Sequence, residues 1–200
     1  MITSMSDLIC VTNRKLCKED FLLRIEKIAK QRPAAILLRE KDLTEKEYAL
    51  LAEEVAAICE KYHTPLIYHS FADVALSHEA KAVHLPLPAL RELTREQKAA
   101  FQRIGASCHS LEDAIEAASL GCTYITAGHI FATDCKKGLP GRGIDFLKKI
   151  VDGVSLPVYA IGGINSENIE EIKRTGAAGA CVMSGPMRCD DVQEYFQQFK

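Results

Sequence analysis

Short runs of β-branched and aliphatic residues alternate along this chain with longer segments whose apolar residues recur at helical spacing. The runs Leu8–Thr12, Ala34–Arg39, Pro65–His69, Ala82–Leu87, Ile104–Cys108, Tyr124–Gly128, Val158–Gly162 and Gly179–Met183 predict strands. They are too short for helices, and most are apolar on both faces. The segments Phe21–Lys30, Glu45–Tyr62, Asp73–Glu79, Thr94–Arg103, Leu111–Leu120, Ile144–Val151, Glu167–Thr175 and Asp190–Phe199 predict helices. Each strand precedes a helix, and strands buried on both faces belong in a parallel sheet covered by helices. Eight such units in 200 residues predict an α/β fold, a (β/α)8 TIM barrel forming a single compact domain over residues 1–200. An open doubly wound sheet is the alternative, but no Gly-x-Gly-x-x-Gly turn follows the first strand to support it.

Two helix starts sharpen the boundaries. Thr44 precedes Glu47 by three positions and Ser110 precedes Asp113 likewise, the spacing at which an N-cap side chain and an acid satisfy each other's backbone amides. Hydrophobic residues make up 48% of the chain, enough for one well-buried core and short of two. A net charge of -2 gives no basic stripe, which argues against nucleic acid or an anionic membrane surface as partner. Residues 1–7 lack a basic region followed by an apolar run, and no stretch reaches transmembrane length, so a cytoplasmic protein is expected. The eight cysteines form no Cys-x-x-Cys pair and read as reduced, mostly buried thiols. Cys135, inside a polar loop, is the one expected to react. Homo-oligomerisation is left open.

In a barrel of this kind, ligands meet residues at the carboxyl ends of the strands. Gly128-His129-Ile130-Phe131-Ala132-Thr133-Asp134-Cys135-Lys136-Lys137-Gly138 places an imidazole, a carboxylate and two ammonium groups directly after the sixth predicted strand. His129 is therefore a candidate proton carrier, with a core histidine as the plain alternative. After strands seven and eight come Gly162-Gly163 and Ser184-Gly185, whose backbones can approach a phosphate closely. Arg39 ends the second strand and either pairs with Glu40 or a neighbouring acid or offers a planar fork to a substrate anion. Lys136 is either a surface charge or a ligand contact. His69, His84 and His109 could form a three-histidine metal site, but their strands read as out of phase and the mouth is poor in carboxylates, so no metal is expected.

Taken in order, Leu38-Arg39-Glu40-Lys41, Asp73-Val74-Ala75-Leu76, Val83-His84-Leu85, Ser107 to Ser110, Gly128 to Lys136, Ala160 to Ile164 and Val182 to Gly185 resemble the thiamine phosphate synthase superfamily across nearly the whole chain. The resemblance implies a (β/α)8 barrel acting in thiamine biosynthesis on phosphorylated heterocycles. Synthases of this family usually carry Asn-Asp-Arg after strand three, where this chain has His69-Ser70-Phe71. They also carry an acid shortly after the strand-four His-Leu, where it has Pro86-Leu87-Pro88-Ala89. Both aspartates that the resemblance would assign to Mg²⁺ are thus replaced, and a pyrophosphate leaving group would lack its neutralising ion.

The Gly-His of Gly128-His129, continuing to Gly141-Arg142-Gly143, is similar instead to the thiazole tautomerase branch, where the synthase pattern has Gly-Pro. What this resemblance implies is an isomerase without cofactor: an exocyclic-ylidene carboxythiazole ethyl phosphate becomes aromatic by losing one proton and gaining another. His129 would then be the general acid/base and Arg39 the carboxylate anchor. Gly162, Gly163, Ser184 and Gly185 would hold the phosphate, with Ser107, Thr133 and Lys136 as further substrate contacts. Two other expectations stand beside it: a thiamine phosphate synthase coupling a pyrimidine pyrophosphate to thiazole phosphate, and a non-catalytic regulatory barrel that binds the phosphorylated ligand.

Overall fold

The computed structural model describes residues 7–133 and 138–199. Eight strands run parallel: β1 (Leu8–Val11), β2 (Ala35–Leu38), β3 (Leu66–His69), β4 (Ala82–Pro86), β5 (Arg103–Cys108), β6 (Tyr124–Gly128), β7 (Val158–Ile161) and β8 (Gly179–Val182). They pair in sequence order, and β8 returns to β1 through Leu8↔Ala180 and Ile9↔Cys181, which closes the barrel. The expected TIM barrel is therefore the fold.

The helices are α1 (Phe21–Lys30), α2 (Glu45–Lys61), α3 (Ala72–Ser77), α4 (Leu87–Glu92), α5 (Arg95–Ala100), α6 (Leu111–Ser119), α7 (Gly143–Gly153), α8 (Ile169–Arg174), α9 (Ser184–Arg188) and α10 (Val192–Gln197). The capping box at Thr44 is complete, with the Glu47 amide on the Thr44 hydroxyl and the Glu47 carboxylate on the Thr44 amide. Three elements depart from expectation, the first being α9, a helix over Ser184–Arg188 where the sequence predicts none. Residues 87–92 form a helix because Pro86 is already extended and Pro88 falls in the first turn, where a missing N–H is harmless. The segment read as one helix from Thr94 to Arg103 ends at Ala100, and Arg103 opens β5.

Alternation along each strand divides the core in two. Leu8, Cys10, Ile36, Leu38, Val83 and Leu85 point outward to meet Ile25 and Ile28 of α1, Tyr48 and Val55 of α2 and their counterparts on later helices. Ile9, Val11, Ala35, Leu37, Ile67, Ala82, Tyr124 and Cys181 form a separate inner cluster. Fully burying an aliphatic side chain stabilises by roughly 1.5–3 kcal/mol, so both layers are needed for so small a barrel. Among the described residues the cysteines are free thiols, and Cys10, Cys59, Cys108, Cys122 and Cys181 are buried, in keeping with the reduced reading.

The upper interior is polar. His69 and His84, 7% and 1% exposed, are register partners across β3 and β4, with rings stacked at 5.8 Å between centroids. This overturns the expectation that their strands are out of phase. Burial drives the His69 imidazole down to about 2, aided by His84, Arg39 and Lys41. Burial likewise drives His84 down to about 3, with the Arg39 charge adding to it. Both rings are neutral in the folded chain.

Their depressed values give stability a pH dependence of fixed sign. An imidazole in the unfolded chain takes a proton near 6.5, while the folded pair refuses it until far lower pH. Stability should be complete above that value and fall as pH drops below it, by about 1.4 kcal/mol per pH unit for each ring. Urea midpoints measured at about pH 7 and about pH 5.5 should differ accordingly, above the range where carboxylates contribute. Equal midpoints would mean that the rings titrate as freely in the folded chain as in the unfolded one.

Candidate active site

The mouth of the barrel is assembled from strand ends, beginning with β1 and β2. Arg39 follows Ala35 and Leu37 in the inward alternation of β2 and so lies at the mouth, half-buried. Its amide donates to the Thr12 hydroxyl at 2.9 Å, and that hydroxyl donates to Glu40 Oε1 at 2.7 Å. Glu40, 2% exposed, also accepts the Arg14 amide at 3.0 Å and the Arg14 guanidinium at 3.1 Å. Arg14 then forks onto Asp42 at 2.7 and 2.8 Å. The acid expected as a partner for Arg39 is thus bonded by Thr12 and Arg14. A buried carboxylate needs such pairing, and satisfying Glu40 ties the loop after β1 to the loop after β2 that carries Arg39.

Beside this clamp lies a cleft of about 270 Å³ lined by Glu40, Lys41, His69, Ser70 and Phe71. Tyr48 of α2 fixes one wall: its hydroxyl donates to the Leu38 carbonyl at 2.8 Å and accepts the His69 amide at 2.9 Å. Its ring meets Phe71 at 4.6 Å. Ser70 takes a left-handed conformation, φ 68°, and its hydroxyl lies 2.7 Å from His69 Nδ1.

Across β4, β5 and β6 the side chains form a chain of contacts. His84 Nδ1 lies 3.0 Å from the Tyr124 hydroxyl, and His84 Nε2 lies 2.9 Å from Ser107 Oγ and 3.5 Å from Thr126 Oγ1. Gly105 makes this packing possible, because an added Cβ would overlap the Tyr124 ring and His84 Nδ1. Tyr124 and Thr126 were not singled out from the sequence. Their signal was present, two hydroxyl side chains spaced by two in a strand read only as hydrophobic. His109 does not join the His69–His84 pair; it is exposed, with Nδ1 3.0 Å from the Gly128 carbonyl and its amide on Asp113. Among the described residues no three His, Cys, Asp or Glu side chains cluster in a way that could hold a metal ion.

The remaining strand ends carry His129 and the glycine loops. The segment after β6 is stitched to β7 by Ile130 N–H to the Ile161 carbonyl at 2.9 Å and Phe131 N–H to the Gly162 carbonyl at 3.0 Å. Gly162 and Gly163 have φ of 105° and 67°. A side chain at Gly162 would overlap His129, and one at Gly163 would overlap the Ala132 carbonyl. The His129 Cα and Cβ therefore pack directly on Gly162, and Phe131 and Ala132 on Gly163. His129 is 7% exposed, and neither ring nitrogen has a hydrogen-bond partner. Register Ile161↔Cys181 brings Gly162–Gly163 and Ser184–Gly185 to neighbouring strand ends, with Gly185 pressed against the Tyr195 ring. Thr133 is half-buried at the edge of this loop. Lys136, with Asp134, Cys135 and Lys137, lies outside the described residues.

Guanidinium, hydroxyls, neutral imidazoles and glycine loops together suit a small anionic ligand and a proton to be moved on it. No helix among the described residues is long and apolar enough to cross a membrane. The sequence profile described as Thiamine monophosphate synthase matches residues 8–185. A thiamine-phosphate synthase of Clostridium tetani is 33% identical, over 92% of this chain and 89% of its own length. A putative thiamine-phosphate synthase 2 of Aquifex aeolicus is 37% identical over 88% of this chain and 95% of its own. Among solved structures, a thiamine phosphate pyrophosphorylase from Pyrococcus furiosus superposes with TM-score 0.81 at 29% identity, covering 100% of this chain and 96% of that one. By profile, by sequence and by the barrel just described, the chain belongs to the thiamine monophosphate synthase family.

Proposed function

We propose that this member of the family is a thiazole tautomerase, converting an ylidene carboxythiazole ethyl phosphate into its aromatic isomer by metal-free proton transfer. The observation that supports it most is His129: its Cα and Cβ pack against Gly162, and both imidazole nitrogens are buried and unpartnered. A buried polar group without a partner is costly, and these two nitrogens are available to a ligand at the strand ends. In this reading His129 exchanges protons with the substrate, one leaving the ring carbon that bears the carboxylate and one arriving at the exocyclic carbon. Arg39 holds the carboxylate and favours negative charge there. Gly162, Gly163, Ser184 and Gly185 hold the phosphate, and Ser107, Thr133 and Lys136 are further contacts.

The family's coupling reaction is the second reading, and the names of the relatives favour it over isomerisation. It requires Mg²⁺ at the pyrophosphate. The donors available here fit that ion poorly: a desolvated imidazole and a serine hydroxyl after β3, a proline-rich turn after β4, and Glu40 already bonded by Thr12 and Arg14. No step is therefore routed through a metal.

Incubation with the ylidene substrate should give the absorbance change of an aromatising ring, and chelator should leave the rate unaltered. Release of pyrophosphate from pyrimidine pyrophosphate and thiazole phosphate, lost in chelator and restored by Mg²⁺, would establish coupling instead. Saturable binding with neither reaction would leave a regulatory barrel.

Arg39→Ala should weaken binding of the carboxylated phosphate by roughly 1.5–3 kcal/mol through loss of a charge-assisted hydrogen bond. Gly163→Val should weaken it by obstructing the phosphate loop, since φ of 67° and the Ala132 carbonyl both oppose a side chain. Calorimetric titration reads both, and unchanged affinity in either variant removes that anchor.

His129→Ala should lower turnover by about 10²–10⁴ while affinity stays within a few-fold, because the anions are held elsewhere. Normal turnover in this variant would move the proton to another group, with His69 and His109 next to be replaced.

A further inference from the structure

Tyr124, His84 and Ser107 form a buried series whose proton directions can be worked out. Tyr124 is 2% exposed, and burial holds its phenol well above the ordinary range, so it keeps its proton. Among the described hydrogen bonds the phenol has one partner, His84 Nδ1 at 3.0 Å. A neutral imidazole has one N–H. If that proton sat on Nδ1, it would point at the Tyr124 oxygen, and the phenol proton would be left buried without an acceptor. The tautomer that satisfies both groups has Nδ1 accepting from Tyr124 and Nε2–H donating to Ser107 Oγ at 2.9 Å, with Thr126 Oγ1 a weaker contact at 3.5 Å. Ser107 Oγ, already accepting from the ring, must then turn its own proton elsewhere. Ser107 is the least buried member of the series, half-buried where His84 and Thr126 are 1% and 3% exposed, and it stands at the inward-facing end of β5. The other charge acting on this ring is Arg39, which faces His69 and His84 from β2.

We infer that Tyr124 and His84 are positioning residues that hold the Ser107 hydroxyl as a hydrogen-bond donor at the barrel mouth, where it and Arg39 together receive a carboxylate. The tautomer follows from the buried contacts alone; the carboxylate rests on the tautomerase reading. A donor held in advance loses little to reorientation when a ligand arrives, and the Ser107 proton, barred from the ring nitrogen, is left for that ligand. The arrangement presents a hydroxyl proton, which suits an anionic oxygen.

The tautomer is read by long-range ¹H–¹⁵N correlation of the histidine rings in the ligand-free full chain. His84 should show a proton on Nε2 only and no titration between about pH 5 and about pH 8. A proton on Nδ1, or titration within that range, overturns the lock whatever the enzyme does. Binding is read with two probes, carboxythiazole ethyl phosphate and the same thiazole phosphate without its carboxylate. Ser107→Ala should weaken the carboxylated probe about tenfold and the other less than about twofold, and Ser107→Thr should restore most of the loss. Equal losses for both probes overturn the carboxylate assignment while leaving the lock to the spectra. Tyr124→Phe should weaken the carboxylated probe a few-fold in the native background and not at all in Ser107→Ala. An undiminished effect there shows that Tyr124 acts through packing and not through Ser107. If the native chain binds neither probe, the proposed function fails, and the histidine spectra still decide the tautomer.

Discussion

Polar side chains inside a closed barrel have only one another to bond with, and the upper half of this structure is arranged by that requirement. The lower interior is filled by Ile9, Val11, Leu37, Ile67 and their neighbours, which ask for nothing but contact. Above them the same inward alternation delivers His69, His84, Ser107 and Thr126, and each must find a partner within reach or lose the hydrogen bonds it made to water. The solutions cross strands. Tyr48 joins β2 to β3, His84 joins β4 to β5 and β6, and Thr12 with Glu40 joins the first two loops. Because these bonds are interlocked, the positions of Arg39 and Ser107 are set by residues that need touch no ligand. His129 is an exception, buried with neither nitrogen paired.

Electrostatics at the mouth follow from the same burial. Two stacked imidazoles cannot both carry charge in a space this dry, and the nearby guanidinium of Arg39 presses them further toward neutrality. Ser70 follows β3 and a proline-rich turn follows β4, so the strand ends that carry these rings bring no carboxylate beside them. Glu40 is the near acid, and three donors from Thr12 and Arg14 consume its lone pairs. Under the proposed function, Arg39 would draw one anion of the substrate to the β2 side and the glycine loops after β7 and β8 would hold the other.

Strand positions were legible because burial on both faces leaves short apolar runs ending in Gly, Pro or a charge, and each of the eight strands lies within one residue or so of its expected bounds. The helix at Leu87–Glu92 was not, because two prolines mask a first turn that tolerates them. At the site, sequence order placed His129, Gly162 and Gly163 at strand ends, and the contact of His129 with Gly162 is what that order implies. Stagger between strands is invisible in sequence. His69 and His84 belong to different β/α units, and only the closed barrel's register sets them opposite each other. The partner of Glu40 was hidden for a related reason: Arg14 is 26 residues away and reaches it through a loop with no periodicity to read.

Family membership leaves the reaction open because both chemistries use the same anchors. Coupling and tautomerisation each need a phosphate held at the last two strands and a heterocycle laid across the mouth; they differ in which charge must be managed during the bond changes. A departing pyrophosphate concentrates negative charge at a leaving oxygen, which calls for a cation among carboxylates. A migrating proton spreads charge over a ring and its carboxylate, which calls for a fixed guanidinium, a fixed hydroxyl donor and one base with free nitrogens. Ser70 and the turn at Pro86 fit the first need poorly, and in the proposed function Arg39, Ser107 and His129 would serve the second. Relatives that share about a third of the sequence carry the synthase name; under the proposed function the same cradle would serve proton transfer, with the side chains that follow β3, β4 and β6 deciding what moves within it.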